Sequence, residues 1–291
     1  MNRKLIGLAV LAAGAAAALA ASAVPGGSIP ASGTPISGIT ARAEAYATPD
    51  SAAETGRAAA VSECMAAAGY DFAPAVNTYT VDFHSNIGFK RLDVASAKAS
   101  GYASLQPASP HEAAAGSEDA KLWADPAFVL AFSGPQTEDN MVTVNGAGTY
   151  GGGCGGEAAK RIYGSVENYV LATGVAMNSL NSAASAAASD SGFEKAIDSW
   201  KTCMAESPYA NFRSPADAVS AGQAAGGQNE FKIAVTDATC REQVNFHGQL
   251  DALLDKYLTT RMQQLEPEIT KVTGIRRQAV DRAAELRSGR D

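Results

Sequence analysis

The sequence predicts a mainly α-helical fold: a disulfide-tied helical bundle of two similar units, with a short β-containing insertion in the first and a long, Pro-kinked C-terminal helix. Apolar residues recur every three or four positions over several long segments. Two helix ends repeat a Cys-Met signature at the same offsets, and an export leader places the four cysteines in an oxidising compartment.

The leader comprises residues 1–23. Arg3 and Lys4 form a basic start, Leu5 to Ala20 is apolar, and Ala21-Ser22-Ala23 is a small-residue cleavage motif before Val24. No cysteine precedes Cys64, which excludes a lipid-modified N-terminus. After cleavage no other run is apolar enough for a transmembrane helix, so the mature chain is expected to be secreted or extracytoplasmic and associated with the cell envelope. Cleavage leaves 21 Lys and Arg against 30 Asp and Glu, a charge of −9 in place of −7. That acidic balance excludes nucleic-acid wrapping as a main function. An apolar fraction of 46 % in 291 residues is too high for a disordered chain, and four cysteines are too few for a small disulfide scaffold.

Residues 24–47 read as a flexible linker rich in Gly, Pro, Ser, Ala and Thr. The first unit spans 48–182. Ser51 and Glu54 form a capping box that opens a helix to about Ala68, with Gly69 as its stop. Tyr70 to Gly153 is the irregular insertion: Thr78 to Phe83 and Met141 to Val144 read as short strands, Phe128 to Phe132 fits strand or helix, and Ser104 to Ser117 reads as a loop. Gly155 to about Leu180 is a helix with Ala159, Ile162, Val166, Val170 and Met177 as its core stripe, and Asn181 to Ser189 is a small-residue linker.

The second unit spans 183–266. Ser191 and Glu194 form a second capping box, opening a helix that ends before Pro208. Ser214 to Gln228 reads as a loop. Asn229 to Glu266 reads as one very long helix, roughly 55 Å at ~1.5 Å per residue. Pro267 then kinks or restarts it, and residues 267–291 form a basic C-terminal helix. Leu254, Leu258, Met262, Leu265, Ile269, Val272, Ile275, Ala279, Ala283 and Leu286 give a coiled-coil-like seam.

Four cysteines allow three pairings, and periodicity does not choose among them. An internal duplication does. Cys64-Met65-Ala66 is followed by Tyr70, and Cys203-Met204-Ala205 by Tyr209 at the same offset, with Val61 and Trp200 matching one turn upstream. Each unit has one later cysteine, Cys154 or Cys240, so two copies of one plan predict Cys64–Cys154 and Cys203–Cys240. The entropic view assigns each such bond ~4 kcal/mol.

These Cys-Met helix ends, the Gly153-Cys154-Gly155-Gly156-Glu157-Ala158 segment and Asp237-Ala238-Thr239-Cys240-Arg241 together resemble a group of uncharacterised secreted proteins and lipoproteins of actinobacteria. The likeness covers about Ala53 to Arg261, and the chain departs from the lipoprotein members by lacking a lipobox cysteine. The resemblance implies export and disulfides, and it transfers no catalytic residue.

Cys154 is the foremost catalytic candidate. Its glycine-rich helix start suits a lowered thiol pKa or an anion cradle, and Lys160 and Arg161 follow. A thiol nucleophile also needs a base, and His84, His111 and His247 show no diagnostic spacing. The glycines are not a dinucleotide fingerprint, and no cofactor is expected. His111-Glu112 opens like a zinc-protease helix, but Ala115 stands where the second histidine belongs, and no metal site is expected. Asp251 with Asp255 and Glu266 with Glu268 read as solvated carboxylate pairs on a long helix. Trp200 and Tyr209 read as core rather than as a carbohydrate platform.

Residues 271–291 carry Lys271, Arg276, Arg277, Arg282, Arg287 and Arg290 against three acids. The sequence therefore predicts no catalytic residue. It predicts an exported, non-enzymatic binding or assembly component of the cell envelope, whose C-terminal helix contacts an envelope protein or an anionic wall or membrane surface through Arg276, Arg277, Arg282, Arg287 and Arg290. The alternatives are a secreted enzyme using Cys154 or a carboxylate pair, and a small-ligand binding protein using the Tyr70 to Gly153 insertion.

Overall fold

The computed structural model describes residues 37–76, 79–105 and 118–289. The leader, most of the linker, His111 and Arg290 lie outside the described residues. The chain is mainly helical, with two disulfides and one two-stranded sheet among the described residues.

Helix α1 (Ile39–Ala47) stands where the composition suggests linker. Ile39, Ala43, Tyr46 and Ala47 are buried, so the small and apolar residues that look like a tether instead face the core. Helix α2 (Ser51–Ala67) starts as expected, but its cap is Asp50, whose side chain accepts from the Ala52 and Ala53 N–H groups. Glu54 is fully buried and used elsewhere: it accepts from the Tyr163 hydroxyl at 2.7 Å and pairs with Arg57.

The insertion is more helical than its sequence suggests. Residues 79–82 are extended without a strand partner, and Asp82 caps α3 (Phe83–Asn86). Helices α4 (Val94–Ser100), α5 (Glu118–Ala124) and α6 (Pro126–Ser133) follow; Asp125 caps α6, with Pro126 in its first turn, which decides the ambiguous Phe128–Phe132 run for helix. Strands β1 (Met141–Val144) and β2 (Ala147–Tyr150) form an antiparallel hairpin, Met141 facing Tyr150. Asn145 and Gly146 both take positive φ at its turn.

Helix α7 (Gly153–Tyr163) ends at Gly164, and Ser165 caps α8 (Val166–Val170). A π-helical turn over Leu171–Val175 leads into α9 (Ala176–Ala188). The expected small-residue linker is thus helix; Ala183, Ala184 and Ala187 are buried, because small side chains let α13 pack closely. Helix α10 (Ser191–Met204) is capped by Asp190 rather than by a Ser191–Glu194 box. Ser214 caps α11 (Pro215–Ala225), where a loop was expected. The very long helix is two, α12 (Gly227–Gln243) and α13 (Phe246–Gln264), broken where Asn245 adopts φ +49°. Asparagine tolerates that left-handed geometry better than most residues. Helix α14 (Glu266–Arg287) begins with Pro267 in its first turn.

The largest buried cluster joins α1, α7–α9, α13 and α14. A second joins α4, α10, α12 and the start of α13, and a third surrounds Cys64 and Cys154. The disulfides are Cys64–Cys154 and Cys203–Cys240, the pairing that the duplicated plan predicts. The second helices are nevertheless used differently. Cys154 is the second residue of α7, whereas Cys240 lies in the last turn of α12.

Candidate functional site

Cys154 is buried and bonded to Cys64, so it carries no thiol and supplies no nucleophile. No cysteine is free. The surrounding glycines have a packing cause. A Cβ on Gly153 would come within 2.6 Å of the Phe132 backbone, and one on Gly156 would overlap the Gly151 carbonyl. The glycine run is a bed on which the C-terminal end of α6 lies against the start of α7. The cations that follow are engaged by carboxylates: Lys160 by Glu157 at 2.7 Å and Arg161 by Glu63 at 2.6 Å.

The carboxylate pairs are ties between elements. Asp255 accepts from Gly38 N–H, Thr40 N–H and Thr40 hydroxyl, at 3.1, 2.9 and 2.6 Å, and so clasps the start of α1. Glu266 pairs with Arg42, and Glu268 accepts from the Tyr46 hydroxyl and from Asn145. Asp251 binds His84 Nε2 at 2.9 Å and Arg91. Burial raises the Asp251 carboxyl, but the bonds from His84 and Arg91 prevail and hold it at about 2.

Asp251 is one end of a chain that the sequence spacing hid. His247 Nε2 accepts from the Leu92 backbone N–H at 3.3 Å, so neutral His247 must carry its proton on Nδ1. That proton points to His84 Nδ1 at 3.2 Å, which leaves the His84 proton on Nε2, facing Asp251. These tautomers follow from the network. Burial, reinforced by Arg241, His84 and Arg91, pushes His247 down to about 3. His84 is fully buried, and the chain ends on a backbone amide. It locks the segment before α4 onto α13 and presents no nucleophile. Among the described residues no three His, Cys, Asp or Glu side chains are placed to hold a metal ion.

A second buried network surrounds Asp237. It accepts from Trp200 Nε1 at 2.9 Å, from the Tyr102 hydroxyl at 3.0 Å and from both Nε and Nη2 of Arg241 at 2.7 and 2.8 Å. Burial and the adjacent Asp237 push the Tyr102 hydroxyl well above its ordinary range. Trp200 is therefore core.

The C-terminal arginines divide. Arg276 donates through Nε and Nη2 to the Ala172 carbonyl in the π-helical turn, and Arg282 Nη1 donates to the Ile162 carbonyl at 3.1 Å. Val272, Ile275, Ala279 and Ala283 are buried against the chain's own helices, α2 and α7 foremost. The apolar seam is thus occupied from within, which removes it as a free partner surface. Arg277 and Arg287 remain exposed.

What stays open lies beside the two disulfides. Helix α6 carries no charged side chain from Pro126 to Ser133, yet it sits at the surface with Leu130 56 % exposed. Its inner side is an aromatic cluster: Phe128 meets Tyr70, Phe72 and Trp123 edge-on at 5.2, 5.0 and 5.1 Å. Leu286 of α14 packs on the same cluster, which brings the exposed Arg287 beside it. Near the other disulfide, an open groove of about 490 Å³ runs between α4, the Pro208-Tyr209 turn and α12. The sequence shows the apolar run of α6 plainly, but not that it is exposed; Phe231 in the groove carries no sequence signal.

Among the described residues no helix is long and apolar enough to cross a membrane. No protein family, no curated protein and no solved structure matches the chain.

Proposed function

We propose that this is an exported, non-enzymatic binding or assembly component of the cell envelope, which engages a partner protein through the outer face of α6. The observation that carries this reading is Leu130. A helix that is apolar all round normally lies inside a protein. Here such a helix is fixed at the surface by the glycine bed and the Cys64–Cys154 bond, with a large aliphatic side chain turned outward. An exposed apolar patch with a charged rim is the usual mark of a protein contact. Arg287 supplies part of that rim, so the basic end of α14 contributes to the contact without being its centre. The leader, the two disulfides and the resemblance to secreted actinobacterial proteins support the compartment.

The test is affinity capture from the producer's envelope fraction with the mature protein and Leu130→Glu. The variant is expected to melt like the wild type and to lose the specific partner. Equal capture by both proteins overturns the contact through α6.

A further inference from the structure

The groove beside the second disulfide is lined by Lys98 of α4, Pro208, Tyr209, and Phe231, Lys232 and Val235 of α12. We propose that it binds an anionic carbohydrate segment, with a sugar ring against Phe231 and Tyr209 and its carboxylate between Lys98 and Lys232.

The two Cys-Met helix ends explain why this place is open. In each, a tyrosine follows the cysteine by six residues. After Cys64 the insertion folds α5 and α6 over that tyrosine, and Phe128 covers Tyr70 edge-on at 5.2 Å. After Cys203 the chain carries no such insertion. Tyr209 and Phe212 stack on each other at 6.2 Å, Tyr209 stays half-buried, and Phe231 is 38 % exposed. Where the first unit supplies its own aromatic rings, the second leaves an aromatic wall uncovered.

The walls are held in place. Cys203 lies just before the Pro208-Tyr209 turn, and Cys240 lies one turn beyond Thr236 on α12. Their disulfide clips the turn to the helix, so the groove exists before any ligand arrives, and its size falls in the range of small-ligand sites.

The charge selects the ligand. Neither Lys98 nor Lys232 has an ion pair among the described residues, whereas Lys160, Lys201 and Lys256 each face a carboxylate. The chain is acidic overall, but exposed charges farther than ~8 Å are screened at physiological salt, so the two lysines set the local sign. Flat aromatic surface with flanking ammonium groups suits a ring with apolar C–H faces and an acidic substituent. A plain apolar peptide would leave both lysines unmatched, and a small inorganic anion would not use Phe231.

This inference shares the extracytoplasmic reading of the proposed function but not the contact through α6. The experiment is calorimetric titration of the mature protein with a galacturonate tetramer, and with a neutral maltose-type tetramer and inorganic phosphate as comparators. The uronate is expected to bind. Phe231→Ala is expected to weaken it at least tenfold, and Lys98→Glu with Lys232→Glu to abolish it, each variant keeping the wild-type melting temperature. Leu130→Glu is expected to bind the uronate normally, which separates this site from the partner contact. No uronate binding, equal binding of the neutral tetramer, or uronate binding indifferent to Phe231→Ala overturns the proposal, and binding of phosphate as strong as that of the uronate reduces the site to a simple anion site.

Discussion

Gly56 of α2 and Ala283 of α14 meet so closely that a Cβ on Gly56 would overlap the Ala283 side chain. This contact seats the C-terminal helix in the body of the protein. Gly56→Ala is expected to destabilise the fold by about 2 kcal/mol through overpacking. Gly274→Ala on α14 is the control, since a Cβ there meets nothing within 4 Å, and it is expected to be neutral or stabilising by up to ~1 kcal/mol. Urea melts of both variants check this, and equal effects would mean that α14 is not docked on α2.

Asp237→Asn is expected to cost about 3–5 kcal/mol, because it leaves the buried Arg241 without its carboxylate. Trp200→Phe removes one hydrogen bond from the same acceptor and should cost about 1–3 kcal/mol. Denaturant unfolding monitored by circular dichroism measures both, and a Trp200→Phe cost as large as that of Asp237→Asn would contradict the ranking.

Acid is expected to loosen the lock around His247. Its folded pKa of about 3 lies below the ordinary histidine value of ~6.5, so the unfolded chain binds the extra proton between those pH values. The stabilising contribution is complete above pH ~6.5 and is lost as pH falls towards 3, at a slope of up to ~1.4 kcal/mol per pH unit. Asp251, held at about 2, adds a loss in the same direction below its ordinary range. Urea melts from pH 7 to pH 4 should show a steeper loss for the wild type than for His247→Gln; parallel curves would rule out a buried neutral His247.

All four cysteines should resist alkylation in unfolded, unreduced protein and react only after reduction. Replacing Cys203 and Cys240 together by alanine is expected to cost ~4 kcal/mol. Intact mass and thermal melts report the two outcomes, and any free thiol in the oxidised protein would contradict the pairing.

Asp255→Ala is expected to free the start of α1 at a cost of about 2 kcal/mol, since it removes the acceptor for three donors. Limited proteolysis should then cut near residues 38–47 well before the rest of the fold. An unchanged digestion pattern would show that burial of Ile39 and Tyr46 alone retains α1.

The helical class, the hairpin strand at Met141–Val144 and the cysteine pairing are legible in the sequence because each has a local or duplicated signal. Composition misleads elsewhere. Ser214-Pro215 with Asp217 is a helix start, but the Ala, Gly and Ser that follow hide it behind a loop-like average. Ala183 and Ala187 look like linker residues until a neighbouring helix needs their small size. Asn245 breaks the long helix without glycine or proline. The His84–His247 chain joins residues 163 apart in sequence, and no spacing rule reaches across that distance. Exposure of Leu130 is likewise a property of what packs beneath α6, not of the α6 sequence.

The two disulfides join consecutive cysteines: first with second, third with fourth. The loops they close are therefore separate, neither nested nor interlaced. A chain emerging N-terminus first from an export channel presents Cys64 and Cys154 before Cys203 appears. An oxidase that links cysteines in order of arrival yields this pattern directly, with no mispaired bond to reshuffle. Maturation then calls for a donor of disulfides but not for an isomerase, and each half of the chain can be sealed as it arrives.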